Sequence, residues 1–257
     1  MPQTTAASHP GTAQASSVAI ASPSPSRLQA RRRSIRFAAL GIASFVIAIV
    51  ATLPASLIAG NSDWRSGVGG TVWNGEVGIA GGSRVEWHFA PLRSLTSLGF
   101  AVDWRATGPD TDLGGQALMR PGGVRLDRVA GSADASLLAA LQPNLPFACD
   151  MPWQVDIPVL STMAGSAMAD GRVAIDPGSC VTRPGNVATP TPAMLLTAEH
   201  IGQQSRIRLV PDSQRRRTLM DATINEDGTL RFAMTGDGAA MLPFTGLPAG
   251  ASVQGSF

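Results

Sequence analysis

The side chains able to do chemistry are few and far apart. Cys149 and Cys180 are the only cysteines in a chain of 257 residues. Such a pair can close a structural disulfide, stay as two free thiols, or act as a redox or metal-binding pair. A metal site needs further ligands at close spacing, and His88 and His200 are isolated from each other and from both cysteines. In an oxidising compartment the structural bond is the preferred reading, with two unpaired thiols as the alternative. The chain-entropy model values closure of such a loop at roughly 3–4 kcal/mol.

The remaining polar groups are equally sparse. No G-x-S-x-G occurs, and no local signature nominates a Ser-His-Asp or Cys-His set. His88 falls on the polar side of an alternating segment, where a solvent-facing histidine is the simpler account. His200, after Glu199, reads the same way. Asp110 and Asp112 lie in a Gly/Pro context, where carboxylates usually cap backbone amides. Residues 67–70 and Gly81-Gly82 lack the strand-then-helix setting of a phosphate loop. Arg215-Arg216-Arg217 reads as an exposed turn, with an anionic docking spot as the alternative. These residues predict no catalytic site, no metal and no cofactor.

One local cluster has structural character: Gly69-Gly70-Thr71-Val72-Trp73-Asn74-Gly75, followed by Trp87 and Pro91-Leu92. Asn74-Gly75 is a strong hairpin signal. A turn there would set Trp73 and Trp87 on adjacent strands as a cross-strand pair. Gly70, Thr71, Trp73, Asn74, Gly75 and Trp87 are therefore candidates for a structural hairpin that also serves interaction.

The elements that must position these residues are strands. In Arg84-Val85-Glu86-Trp87-His88-Phe89, Val85, Trp87 and Phe89 share one face and the polar residues share the other. Residues 100–104 repeat the pattern, and residues 124–129, 153–157, 172–175, 205–210, 219–224 and 230–234 continue it. Pro121-Gly122-Gly123, Asp170-Gly171, Pro177-Gly178 and Asp227-Gly228 separate them as turns. Residues 91–98 and 136–141 read as short helices, and 181–192 as a loop or hinge. The expected fold is mainly β, an antiparallel meander curled or folded into a sandwich, with one or two short helices.

Ahead of this domain runs an uncharged apolar stretch, Phe37 to Ala59, immediately preceded by Arg31, Arg32, Arg33 and Arg36. As a helix it would reach about 35 Å, enough for a hydrocarbon core of about 30 Å. The arginines keep its N-terminal side cytoplasmic by the positive-inside rule. A cleaved signal peptide would need a shorter lead and a small residue where Leu57 stands. The expectation is a single-pass anchor over 34–60, a disordered cytoplasmic tail over 1–33, and a β-rich domain over 61–257 on the far side.

Five of the 20 basic residues, Arg27 among them, precede the apolar run, while all 18 acidic residues follow it. The basic pI near 9.0 thus belongs to the anchor. No basic stripe with interleaved aromatics occurs, so nucleic-acid binding is excluded.

The order Leu53-Pro54-Ala55, then Gly70 to Gly75, then Val85-Glu86-Trp87-His88-Phe89-Ala90-Pro91-Leu92, then the Leu-rich segment 137–146, resembles the type II secretion system protein N family, also called general secretion pathway protein N. The resemblance runs over about residues 40–160. It implies a non-catalytic accessory of the machinery that moves folded proteins from periplasm to exterior. Such a protein would sit in the cell inner membrane with its β-domain in the periplasm, docked on other secretion-system proteins. Two further readings stand beside it. One is an envelope protein handling lipid or glycolipid in a β-groove, which needs a continuous apolar face that never closes. The other is a membrane-anchored regulator or sensor working through its tail.

Overall fold

The computed structural model describes residues 25–57, 65–79, 82–134, 137, 145–183 and 187–256. The chain divides into two compact units between Val50 and Ala51. The first contains helix α1 (Pro25–Ala51). Every side chain from Phe37 to Ala51 is exposed, with Phe37, Leu40, Ile42, Phe45, Ile47 and Ile49 distributed around the axis. Such a helix is apolar on all sides rather than amphipathic.

The apolar helix differs from expectation at both ends. It begins at Pro25, inside the stretch expected to be disordered. Proline suits a first helical turn, and the Arg-, Ala- and Leu-containing segment after it favours helix. Arg31, Arg32, Arg33 and Arg36 therefore lie along α1. At the other end the helix stops at Ala51 instead of running to residue 59. Pro54 pairs with Thr71 in an isolated bridge, and Ala55–Leu57 forms a 3-10 turn. The apolar helical part, 37–51, is about 22 Å long at 1.5 Å per residue. Among the described residues, no helix is long and apolar enough to cross a membrane.

The second unit is β-structure, with strands β1 (Arg65–Gly70), β2 (Asn74–Ile79), β3 (Ser83–Phe89), β4 (Phe100–Thr107), β5 (Asp112–Arg120), β6 (Gly123–Asp134), β7 (Phe147–Cys149), β8 (Pro152–Ser161), β9 (Met168–Ile175), β10 (Gly178–Thr182), β11 (Ala188–Thr191), β12 (Met194–Ile201), β13 (Gln204–Pro211), β14 (Met220–Asn225), β15 (Thr229–Met234) and β16 (Ser252–Ser256). Among the described residues, thirteen strands form one antiparallel sheet in the order β1-β2-β3-β4-β5-β6-β8-β9-β12-β13-β14-β15-β16. Among the described residues, β1 and β16 stand at the two ends of this order. β11, β10 and β7 form a separate three-stranded sheet. The stretch 181–192, read as a loop or hinge, instead contributes β11, which pairs with β10 from Val181↔Ala188 to Gly178↔Thr191.

The period-two pattern sorts the large sheet into two chemically distinct faces. Register pairs Trp87 with Trp104, Phe89 with Val102, and Ala117 with Leu126. The same face continues through Leu126↔Leu160, Val155↔Val173, Leu196↔Leu209 and Ala222↔Phe232. The opposite face carries cross-strand ion pairs: Arg84–Glu76 at 3.3 Å, Arg172–Asp156 at 3.0 Å and Arg206–Asp221 at 2.8 Å. These exposed pairs contribute little stability each, but they keep that face in water.

Bulges interrupt two ladders near the middle of the large sheet. The β5–β6 register shifts between Gly114 and Gln116, and Arg128 opposite adopts φ 52°. The β8–β9 register shifts between Asp156 and Val159. Such bulges bend and over-twist strands, which coils a wide sheet. Helix α2 (Pro91–Ser97) lies against β4, anchored by Ala101 N donating to Ser94 Oγ at 2.8 Å and by the Arg93–Asp127 ion pair. Its leucines Leu92, Leu95 and Leu98 point outward and are exposed. The helix expected at residues 136–141 falls outside the described residues except at Leu137.

Buried apolar residues run through the whole β unit, from Ile79, Val102 and Ala117 to Leu242 and Phe244. Met151, Cys180, Met194, Leu209, Leu219, Leu242 and Phe244 form one cluster. There the small sheet, helix α3 (Gly236–Met241) and the 3-10 turn Pro243–Thr245 supply the covering layer. Phe147 packs edge-on against Phe244 at 5.1 Å.

Candidate functional site

The first hairpin is built differently from its sequence signal. Thr71 N donates to Asn74 O at 2.8 Å, and Asn74 N donates to Thr71 Oγ1 at 3.2 Å. The chain therefore reverses at Val72-Trp73, and Asn74-Gly75 opens β2. Gly70 carries the positive φ of 80°, where a Cβ would stand 2.5 Å from Asn74 O. Gly75 serves packing instead: its missing Cβ leaves room for the Trp87 ring. Trp87 Nε1 donates to Val72 O at 3.0 Å, tying β3 to the turn.

Trp73 and Trp87 consequently do not form the expected cross-strand pair. Trp73 packs on Phe89 at 4.8 Å and on Phe100 at 5.9 Å, and Phe89 stacks on Phe100 at 5.3 Å. Trp87 is in register with Trp104. Val72 N donates to Leu53 O at 3.0 Å, so this turn also fastens the segment that follows α1.

Cys149 and Cys180 stand directly opposite on β7 and β10 and are joined by a disulfide, with Cα atoms 4.1 Å apart. Cys180 is fully buried. Beside the bond, Ser179 N donates to Asp150 Oδ1 at 2.5 Å and Ser179 Oγ donates to Asp150 Oδ2 at 3.1 Å. These donors hold the Asp150 carboxyl below its ordinary range, the backbone amide contributing most. The arrangement clamps a hairpin over the main core.

The other polar candidates are absorbed locally. His88 Nδ1 lies 3.2 Å from Asn74 Oδ1 on the exposed face. Asp112 does not cap a turn; it opens β5 and accepts from Arg105 Nε at 2.9 Å across β4. Arg215 is paired with Asp212 and Arg217 with Asp237, so two of the three adjacent arginines are internally satisfied. Arg217 in turn holds the Asp237 carboxyl below its ordinary range.

Sequence reasoning missed one pair, because register alone creates it. His200 and Ser205 face each other across β12 and β13, with Nδ1 and Oγ 3.0 Å apart. Ser205 Oγ also accepts from Ala169 N at 2.8 Å and the residue is fully buried, so it serves the fold. Among the described residues, no three metal-ligating side chains converge.

What remains open to a partner are surfaces. β16 closes the order of the large sheet at one end, and all five of its residues are exposed. It carries no charge and no proline. Edge strands are usually protected by such features, and an unprotected edge can accept an added strand.

A family model described as "Type II secretion system (T2SS), protein N" matches residues 64–246. The chain belongs to the type II secretion system protein N family. That family is a non-enzymatic component of protein secretion. The match reaches past residue 160 to take in the disulfide-bonded small sheet, β12 to β15 and α3. Helix α1 and β16 lie outside it. No curated protein and no solved structure matches the chain.

Proposed function

We propose that this protein N family member is a non-catalytic accessory of type II secretion, fixed in the inner membrane by α1. Its N-terminus is cytoplasmic, and its sheet lies in the periplasm and docks other secretion components. The family match carries the secretion role. The all-round apolar surface of 37–51 and the arginines before it support the anchor and its orientation. A short apolar helix can be accommodated by local thinning of the bilayer and by snorkelling of flanking arginines. The unprotected edge of β16 supports strand addition as the docking mode.

Deletion of the gene tests the reading. Secreted enzymes should accumulate in the periplasm and return to the medium on complementation. Undiminished export from a clean deletion would remove the proposal. Replacing residues 1–30 by an unrelated flexible sequence should leave export intact; its loss would instead favour regulation through the tail.

A further inference from the structure

Strands β15 and β16 carry one ionised side chain between them, Arg231. It stands within β15, in register with Thr223 on one side and with Gln254 of β16 on the other. The residue is exposed, and among the described residues it forms no ion pair. The carboxylate that shares its face, Asp221, is already held by Arg206 at 2.8 Å and by Arg208 at 3.6 Å. An open groove of about 420 Å³ lies beside Arg231, lined by Asp221, Thr223, Arg231, Ala233, Ser252 and Gln254. Thr223, Ala233 and Ser252 are small, so the guanidinium is free to lean over the edge.

The other face of the same edge is apolar. Val253 pairs with Phe232, and Gly255 pairs with Leu230. A Cβ built on Gly255 would meet nothing within 4 Å, so the edge has a notch beside the exposed Val253.

We propose that β16 takes an extended peptide of another protein in which a glutamate stands between two apolar residues. This rests on the reading of β16 as the docking edge and names the chemistry of the strand that it accepts. Main-chain hydrogen bonds hold the added strand, and its side chains alternate between the two faces. A residue opposite Gln254 lies on the face of Arg231, two strands away, about 10 Å between backbones. A guanidinium and a glutamate carboxylate close that span from both ends. The neighbours of that residue fall opposite Val253 and Gly255, where an apolar side chain fills the notch.

Charge excludes the nearer occupants. A second copy pairing through β16 brings no carboxylate, and β1, at the other end of the sheet, brings Arg65 and no acid. The chain before Asp63 contains no acidic residue either, so its own N-terminal segment does not match. A basic strand would set like charges across the ladder, which is unfavourable.

The test titrates the full-length chain, in lipid nanodiscs, with a short fluorescent peptide alternating valine with glutamate. Versions with glutamine or lysine in place of glutamate are compared by anisotropy. The acidic peptide should bind at least about fivefold more tightly than the lysine version. Arg231→Glu should reverse that order, whereas Arg216→Glu, the same charge change in the turn after β13, should leave it intact. Circular dichroism checks the fold of both variants. Amide exchange over 252–256 should slow on binding, with β1 unchanged. Equal affinity for the three peptides with β16 protected would overturn the acidic partner and leave the docking edge standing. No protection of β16 by any peptide would remove both. Protection of β16 that rises with the concentration of the chain alone would assign the edge to a second copy and overturn the proposal.

Discussion

The Trp87 ring occupies the space that a Cβ on Gly75 would need: that atom would lie 2.4 Å from Trp87 Cζ2 and 2.8 Å from Gly69 O. The ring is held by its hydrogen bond to Val72 O. One obstacle is a tethered side chain and the other is backbone, so neither can give way cheaply. Gly75→Ala should destabilise the domain by about 2–3 kcal/mol through overpacking. Denaturant titration of the purified chain checks it, and Gly255→Ala, where a Cβ meets open space, is the control.

The disulfide gives a second expectation. Removing it by Cys149→Ser and Cys180→Ser should cost about 3–4 kcal/mol, from loop closure over a separation of 31 residues. Because the bond lies in the small sheet, hydrogen exchange should rise first in β7, β10 and β11 and only later in β3 to β6. Uniform loss of protection across both sheets would contradict this. Thermal melts with and without reductant give the same comparison without mutation.

The Asp150 carboxyl predicts a pH dependence. Its folded pKa is lowered from the ordinary 3.8 by the Ser179 amide and hydroxyl. The folded state thus binds the proton less tightly, and the stabilisation is complete above the ordinary value. It is lost as pH falls through 3.8 towards the lowered folded value. Asp150→Asn should therefore lower the melting temperature at neutral pH, and the gap from the parent should shrink below that window. A gap unchanged down to the acid end would contradict the assignment.

Docking through β16 is testable apart from folding. Val253 is 59% exposed, so Val253→Lys should change stability by no more than about 0.5 kcal/mol. A lysine on an open edge opposes strand addition. Co-purification of other secretion components and export of secreted enzymes should both fall. A fully active variant would move the docking surface elsewhere.

Strands with unbroken alternation were legible in the sequence. Arg84 to Phe89 and Phe100 to Trp104 lie within β3 and β4, and the mainly antiparallel β fold follows from them. Where alternation breaks, reading stopped. The bulge at Arg128 hid the continuation of β6 to Asp134, and Gly114-Gly115 concealed β5. The hairpin was misplaced because Asn74-Gly75 satisfies a turn rule, yet Gly75 lies within β2 and its missing Cβ admits the ring of Trp87, its partner across the β2–β3 ladder. The His200–Ser205 contact and the pairing of Asp112 with Arg105 are likewise products of register. The cysteine pair was nameable as a candidate, but its place over the core depends on β7 and β10 leaving the main sheet together.

The order of the large sheet has a consequence for synthesis. From β1 to β6 each strand pairs with its immediate predecessor, and after the excursion of β7, β10 and β11 the same rule holds from β12 to β16. Within those two runs a chain emerging N-terminus first can add strands one at a time, each closing only a short loop. The longer waits are those of β7 for β10 and of β9 for β12, so the edge left open during growth is mainly that of β9.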